Sequence, residues 1–420
     1  MQPAVYAQKT VLANGLRIVS EYVPTVASFA LGAWVNAGSR DETDALAGTA
    51  HFIEHLIFRR SRRHSARAIA AAFEDIGAYT NAFTTKEHTC FYARALGKHF
   101  RKCAALLGEI VSQPAFHPAD IEKERNVIIE EIKGYDDEPE ERIFDEAESK
   151  LFAGNSLAHP IAGSAESVSA LSAEDIVAFY RSYYRPENIV IAVAGNISHD
   201  EAVAAAEAYF KFDATANAAK AQRTPIANIP GGRVTEPKQF QQSHIVTAAR
   251  LEGADSPDRF AYSVLNAAFG DGMSSRLYQR LRERSALAYT VYSTVQLMSD
   301  CGLLAVYAGV DARNTDKALR CIAEETDKLR DTAMNRKEIA RAKEQVKTGI
   351  VMGLEDMSSR MNYLAKSEIE EGGFEPAEIA LEKIDAVEAS DILRIAQTRI
   401  VPETILELVF RSHGNNGYAI

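Results

Sequence analysis

His51 and His55 stand four residues apart with Glu54 between them, in the run GTAHFIEHLIFR (residues 48–59). The apolar spacing of Phe52, Ile53, Leu56 and Ile57 predicts a helix, on which positions i and i+4 share one face. Two imidazoles one turn apart can reach a single Zn²⁺ at about 2.0–2.1 Å. Glu54, three residues after His51, lies beside them and can hold a water delivered to that ion. The plainer alternative is a pair of hydrogen-bonded histidines on an amphipathic helix with Glu54 in solvent.

A metal helix needs a third protein ligand from elsewhere in the chain. The segment Glu122–Ile132 reads as a helix whose buried face is drawn by Val127, Ile128 and Ile132. Glu131 falls beside these apolar positions, and Glu124 lies two turns earlier on the same side. A carboxylate among apolar groups requires a partner, which a divalent cation supplies. Glu130, rotated by about 100° from Glu131, is expected in solvent. For Glu124 an ordinary surface charge is the competing reading.

The elements that must position these residues alternate between strand and helix periods. Strands are expected at Leu16–Tyr22, Ser28–Val35, Thr89–Ala95 and Asn188–Ala194, with helices at Thr49–Arg59 and Ala66–Ile76. Residues 211–238, rich in Ala, Thr, Asn, Pro and Gly, carry no apolar period and mark a linker. Beyond it the order recurs: strand His244–Ala249, helices Asp258–Phe269 and Ser274–Arg284, strands Ala288–Val295 and Gly302–Gly309. The expectation is an α+β fold of two homologous halves, each a mixed or antiparallel sheet packed with helices, facing each other across a cleft. The division is a catalytic domain at 1–215, a linker at 216–238 and a degenerate repeat at 239–420.

The 420 residues carry 47 Lys+Arg against 58 Asp+Glu, a formal net charge of −11, with 46% hydrophobic positions. Long enough for two cores, the chain lacks the basic face that duplex DNA demands, so no nucleic-acid partner is expected. One basic cluster, Arg59, Arg60, Arg62, Arg63 and His64, stands out and reads as a solvated helix end or loop. Cys90, Cys103, Cys301 and Cys321 show no Cys-x-x-Cys spacing and fit free thiols in a reducing compartment. The beginning of the chain has no secretory pattern, and no run approaches about 18 apolar residues. A cytoplasmic protein with no membrane partner is the expectation.

His-x-x-Glu-His followed by a Glu in a Val-Ile-x-x-Glu context, here Glu131, resembles the inverzincin zinc peptidases of the pitrilysin and mitochondrial-processing-peptidase family, specifically their bacterial members. The likeness runs over nearly the whole chain. It implies one Zn²⁺ per chain, with His51, His55 and Glu131 as ligands, Glu54 as general base and Glu124 behind the ligands. Tyr79–Thr89 resembles the family's edge strand that pairs with substrate, which carries over Asn81, Ala82 and Phe83; for Phe83, plain core packing is the alternative. Arg282 and Tyr289 match an Arg and a Tyr of the domain opposite the metal, where either can donate to a developing oxyanion.

Gly270–Arg276 has a Gly-x-Gly-x-x-Ser look but no strand before it, which argues against a phosphate loop. The remaining histidines, His64, His88, His99, His117, His159, His199, His244 and His413, are isolated and assigned to no metal. The resemblance implies a zinc endopeptidase cutting unstructured peptides or extended precursor segments, working as a homodimer or beside a related subunit. Its rival is a non-catalytic or partner-dependent subunit of the same fold. A closed structural metal site would need a fourth protein ligand, and the sequence offers three.

Overall fold

A computed structural model of the chain describes residues 7–212, 223–224, 226 and 231–412; linker positions 216–222, 225 and 227–230, and His413, lie outside the described residues. The chain divides into two compact units. The first comprises Met1–Gly134, His159–Thr224 and Met352–Pro376; the second comprises Tyr135–Ala158, Pro225–Val351 and Ala377–Ile420.

In the first unit, strands β1 (Gln8–Val11), β2 (Arg17–Tyr22), β3 (Ser28–Val35), β4 (Tyr79–Thr84), β5 (Thr89–Leu96) and β6 (Ile189–Gly195) form one sheet in the order β1-β2-β6-β3-β5-β4. Only β2 and β6 run parallel; the other neighbours are antiparallel. Central β6, IVIAVAG, is buried along its whole length, as an unbroken apolar run demands. In the second unit, β7 (Gly232–Lys238), β8 (Ser243–Leu251), β9 (Ala288–Leu297), β10 (Gly302–Val310) and β11 (Leu406–Ser412) take the order β7-β11-β8-β10-β9. There β7 and β11 are the parallel pair, and the rest are antiparallel. Strand for strand this is β2-β6-β3-β5-β4 again, so the repeat expected from faint sequence likeness is a repeat of topology.

Both sheets are covered on two faces. On the first, Phe29, Leu31 and Ala33 meet Phe52, Ile53 and Leu107, while Ala30, Trp34 and Val190 meet Met357, Met361 and Leu364. Gly32 permits that second layer: a Cβ there would stand 2.4 Å from Met361 Sδ. On the second sheet, Ile245 and Val306 pack with Tyr262, Leu265 and Ile322, and Val246, Leu303 and Leu408 pack with Ile143, Ala147 and Leu151.

Two features depart from the sequential division into 1–215, 216–238 and 239–420. The helix Pro139–Leu151 belongs to the second unit and the helix Met357–Glu371 to the first, because each sheet has an apolar face that its own half of the sequence leaves bare. Part of the expected linker, Gly232–Lys238, is an edge strand. Its half-exposed polar pattern and Pro237 hide it from a search for apolar alternation. Among the described residues no helix is long and apolar enough to cross a membrane.

Candidate metal centre

Helix α1 (Thr49–Ile57) presents His51 and His55 on one face, and helix α2 (Pro118–Asp136) brings Glu131 to meet them. One ligand atom from each of the three lies within 4.8 Å of the others. His55 Nε2 is 3.4 Å from Glu131 Oε2, and His51 Nε2 is 3.8 Å from Glu131 Oε1. Ligands bound tetrahedrally at about 2.0–2.1 Å from one ion lie about 3.3 Å apart, so two imidazole nitrogens and a carboxylate at these spacings fit a zinc ion. Among the described residues this is the one such group of three.

The surroundings fix the ligands. Glu124, buried, stands 3.2 Å from His55 Nδ1 through Oε2 and 2.9 Å from Arg59 Nε through Oε1. The His55 ring is therefore held with Nε2 toward Glu131, the arrangement by which an outer carboxylate sets a histidine's tautomer. Glu54 lies on the same helix, and its Oε2 accepts from the Thr84 hydroxyl at 2.6 Å. The helix itself is anchored by Glu42, also buried, whose carboxylate accepts from the Gly48 and Ala50 N–H groups at 2.7 and 2.6 Å. Gly48 turns the chain into α1 at φ +95°, and a Cβ on it would stand 2.7 Å from the Ala162 carbonyl oxygen.

Burial, reinforced by neighbouring His55, lowers His51 to about 4, which leaves its ring neutral and able to ligate. Burial also raises the Glu54 carboxyl against the pull of the Thr84 hydrogen bond and His55, a direction that suits a base which must take up a proton. For His55 burial works downward, but the hydrogen bonds to Glu124 and Glu131 prevail and raise it to about 9.

The structure thus brings together His51, Glu54, His55, Glu124 and Glu131. Glu130 faces solvent as expected, whereas Val127, expected in the buried face, is exposed. Asn81, Ala82 and Phe83 lie on β4, the edge strand of its sheet. Alternation along that strand sends Phe83 onto Trp34, edge to face at 5.4 Å, while Ala82 and Thr84 lie toward the α1 side. Phe83 is accordingly not gathered with His51, His55 and Glu131.

Arg282 and Tyr289 sit in the second unit, with the Arg282 guanidinium 5.0 Å from the Tyr289 ring centre and 5.1 Å from that of Tyr278. The helix expected over Ser274–Arg284 is a π-helix across Tyr278–Arg284, and Ala286 just beyond it has φ +47°. Gly270 directly follows the helix Arg259–Phe269, so the Gly-x-Gly segment has none of the strand–loop–helix context of a phosphate loop. Thr84, Glu42 and Arg59 were not singled out as parts of this site. Thr84 was discoverable from its spacing of two from Ala82, and Arg59 from its spacing of four from His55; Glu42 joins the site through a loop that has no period.

A two-sheet α/β architecture carrying two histidines and a glutamate on facing helices defines the M16 class of metallopeptidase folds. Residues 17–165 match the family model described as Insulinase (Peptidase family M16), and 170–346 match the Peptidase M16 inactive domain. The chain is 37% identical over 402 residues to an uncharacterized zinc protease of Mycobacterium tuberculosis, covering 94% of this chain and 91% of that one. It is 32% identical over 397 residues to the uncharacterized zinc protease YmxG of Bacillus subtilis, covering 94% and 96%. A solved structure of a Helicobacter pylori protease superimposes with a TM-score of 0.91 at 18% identity, covering 97% of this chain and 100% of that one. This chain belongs to peptidase family M16.

Proposed function

We propose that this protein is a zinc-dependent endopeptidase that cleaves flexible peptides or extended precursor segments, with one zinc per chain held by His51, His55 and Glu131. The observation that carries the reading is the convergence of these three side chains, with Glu54 beside them on the same helix. When bound, the ion supplies Lewis acidity that makes water acidic and a peptide carbonyl electrophilic. Glu54 takes the proton from the attacking water and returns it to the departing amine nitrogen, with the Thr84 hydroxyl orienting its carboxylate. Glu124 and Arg59 keep His55 in place throughout.

Substrate recognition fits the unpaired edge of β4, where an extended peptide adds as a further strand with Asn81 and Ala82 as its partners. Backbone pairing of this kind reads shape more than side chain, which agrees with a broad specificity. Arg282 and Tyr289 are assigned the task of donating to the carbonyl oxygen as it gains charge; Tyr289 is exposed. The description of residues 170–346 as an inactive domain agrees with a metal group and a base, His51, Glu54, His55 and Glu131, that all lie before residue 170. A homodimer is the assembly proposed.

The test is hydrolysis of a flexible quenched peptide by the purified chain as isolated, after chelation, and after zinc is restored, beside Glu54→Gln. Cleavage that follows zinc and disappears in Glu54→Gln establishes the peptidase. Stoichiometric zinc without cleavage favours a partner-dependent subunit, and no bound metal at all overturns the catalytic reading.

A further inference from the structure

Basic side chains on this protein are widely paired with carboxylates. Arg40 meets Glu87 at 2.6 Å, Arg59 meets Glu124, Arg60 meets Asp120 at 2.7 Å, and Arg276 meets Glu338 at 2.5 Å. A local departure begins two residues beyond Arg60. Arg62, Arg63, Arg181 and Lys211 border one cleft of about 1010 Å³ in the first unit, and among the described residues no Asp or Glu lines it. Neither Arg62 nor Arg181 has a side-chain partner among the described residues, and Lys211 Nζ reaches only the Glu207 carbonyl. Glu109, the carboxylate that Arg63 senses, is already engaged by the Ser61 hydroxyl at 2.5 Å and His64 at 2.9 Å.

The walls of this cleft are tied to one another. Arg62 N–H donates to the Gln113 carbonyl at 3.0 Å, and Ala115 N–H to the Arg60 carbonyl at 3.0 Å. Lys211 N–H donates to Ser112 Oγ at 3.1 Å, and the Tyr180 hydroxyl to the Val111 carbonyl at 2.8 Å. Four separate stretches of chain are thereby clamped around a fixed rim of positive charge. Between the cations the polar Ser112 and Gln113 alternate with apolar patches from Pro114, Phe116, Val177 and Tyr180, with Phe116 and Tyr180 edge to face at 5.2 Å.

We propose that this cleft binds an acidic peptide segment in which carboxylates alternate with apolar side chains. Four cations, only Arg63 of them sensing a carboxylate, on a chain of net charge −11 make it a local reversal of the molecule's field, which attracts anions the rest of the surface repels. Guanidinium forks suit carboxylates, and the apolar patches of Phe116, Val177 and Tyr180 give a peptide's hydrophobic side chains a surface that a bare phosphate ligand has no use for. The size of the cleft suits several residues of chain rather than a single ion. The basic cluster Arg62-Arg63 thus has a role beyond that of a solvated loop.

The experiment uses the full chain carrying Glu54→Gln, so that the probe survives, and follows the anisotropy of a fluorescein-labelled peptide of alternating glutamate and phenylalanine. Three competitors accompany it: the lysine–phenylalanine and glutamate–serine counterparts and inorganic tripolyphosphate. The expected result is salt-sensitive binding that the competitors displace poorly. Arg62→Glu with Arg181→Glu weakens it at least about tenfold, while Lys317→Glu, an exposed reversal in the second unit, leaves it unchanged. Unaltered Trp34 emission certifies that the double variant is folded, and Arg181→Gln gives a smaller loss in the same direction. Binding indifferent to the double reversal, or equal binding of the glutamate–serine peptide or tripolyphosphate, or no binding, overturns the proposal.

Discussion

Glu124 touches two groups at once, the His55 imidazole through one oxygen and the Arg59 guanidinium through the other, while itself buried. Its removal leaves His55 free to turn and the Arg59 charge without a partner. Replacing such an outer carboxylate typically costs about 10–100-fold in metal affinity. Glu124→Ala is therefore expected to weaken zinc binding by about that factor in a chelator competition, whereas Glu130→Ala, on the solvent side of the same helix, changes it little. Glu54→Gln is expected to keep its zinc and lose about 10²–10⁴ in kcat, the span that general base catalysis provides. At this scale helical periodicity was a good guide, because His51, Glu54, His55, Glu124 and Glu131 owe their meeting to spacing along two helices. It erred for Val127, since an apolar residue does not declare which neighbour covers it. Phe83 sits where strand alternation sends it, on Trp34, the alternative that the resemblance alone could not decide.

The helix α1 is the element on which the site depends, and its N-terminus is set by Glu42 and Gly48. Burial raises the Glu42 carboxyl from 4.5 to about 8, although the Ala50 and Gly48 N–H groups pull the other way. A folded-state value above the unfolded one means that the neutral acid is the form the fold prefers. Glu42's contribution is complete below about pH 4.5 and declines as pH rises through about 8. The difference in Tm between the wild type and Glu42→Gln should accordingly shrink from pH 4.5 toward pH 8 in scanning calorimetry; a difference that grows contradicts this assignment. Gly48→Ala meets both a left-handed backbone and the Ala162 carbonyl oxygen, whereas Gly77→Ala at φ +61° meets the backbone cost alone, with nothing within 4 Å. Gly48→Ala should lose more than about 1 kcal/mol in urea unfolding and more than Gly77→Ala does. Strands and helices with an apolar period were legible in the sequence. The edge strand β7 and the π-helix Tyr278–Arg284 were not, since neither carries a period that distinguishes it from loop or α-helix.

The molecule as a whole is two sheets of one topology, and a linear reading placed the division near the linker because composition changes there. What no local pattern reveals is that the first unit draws Met352–Pro376 from the far end of the chain. That helix puts Met357, Met361, Leu364 and Ala365 over Val19, Ala30, Trp34, Val190 and Ala192, all of them buried. A chain truncated after residue 215 retains His51, His55, Glu131 and the whole six-stranded sheet, yet exposes this apolar face to water. It is expected to be molten or aggregated, to bind a hydrophobic dye and to hold zinc weakly. The single tryptophan reports on this directly. Trp34 is fully buried, its indole N–H lies 3.3 Å from Met361 Sδ, and Phe83 stands edge to face against it. In the truncated chain its emission should move toward that of solvent-exposed indole, and adding a peptide of residues 352–376 should reverse the shift. In the full chain Met361→Ala, which removes the sulfur partner and leaves a cavity against the sheet, should produce a smaller shift and a loss of about 2–5 kcal/mol. A fragment 1–215 with native emission and native zinc affinity would show that the first unit needs no cover from residues 352–376.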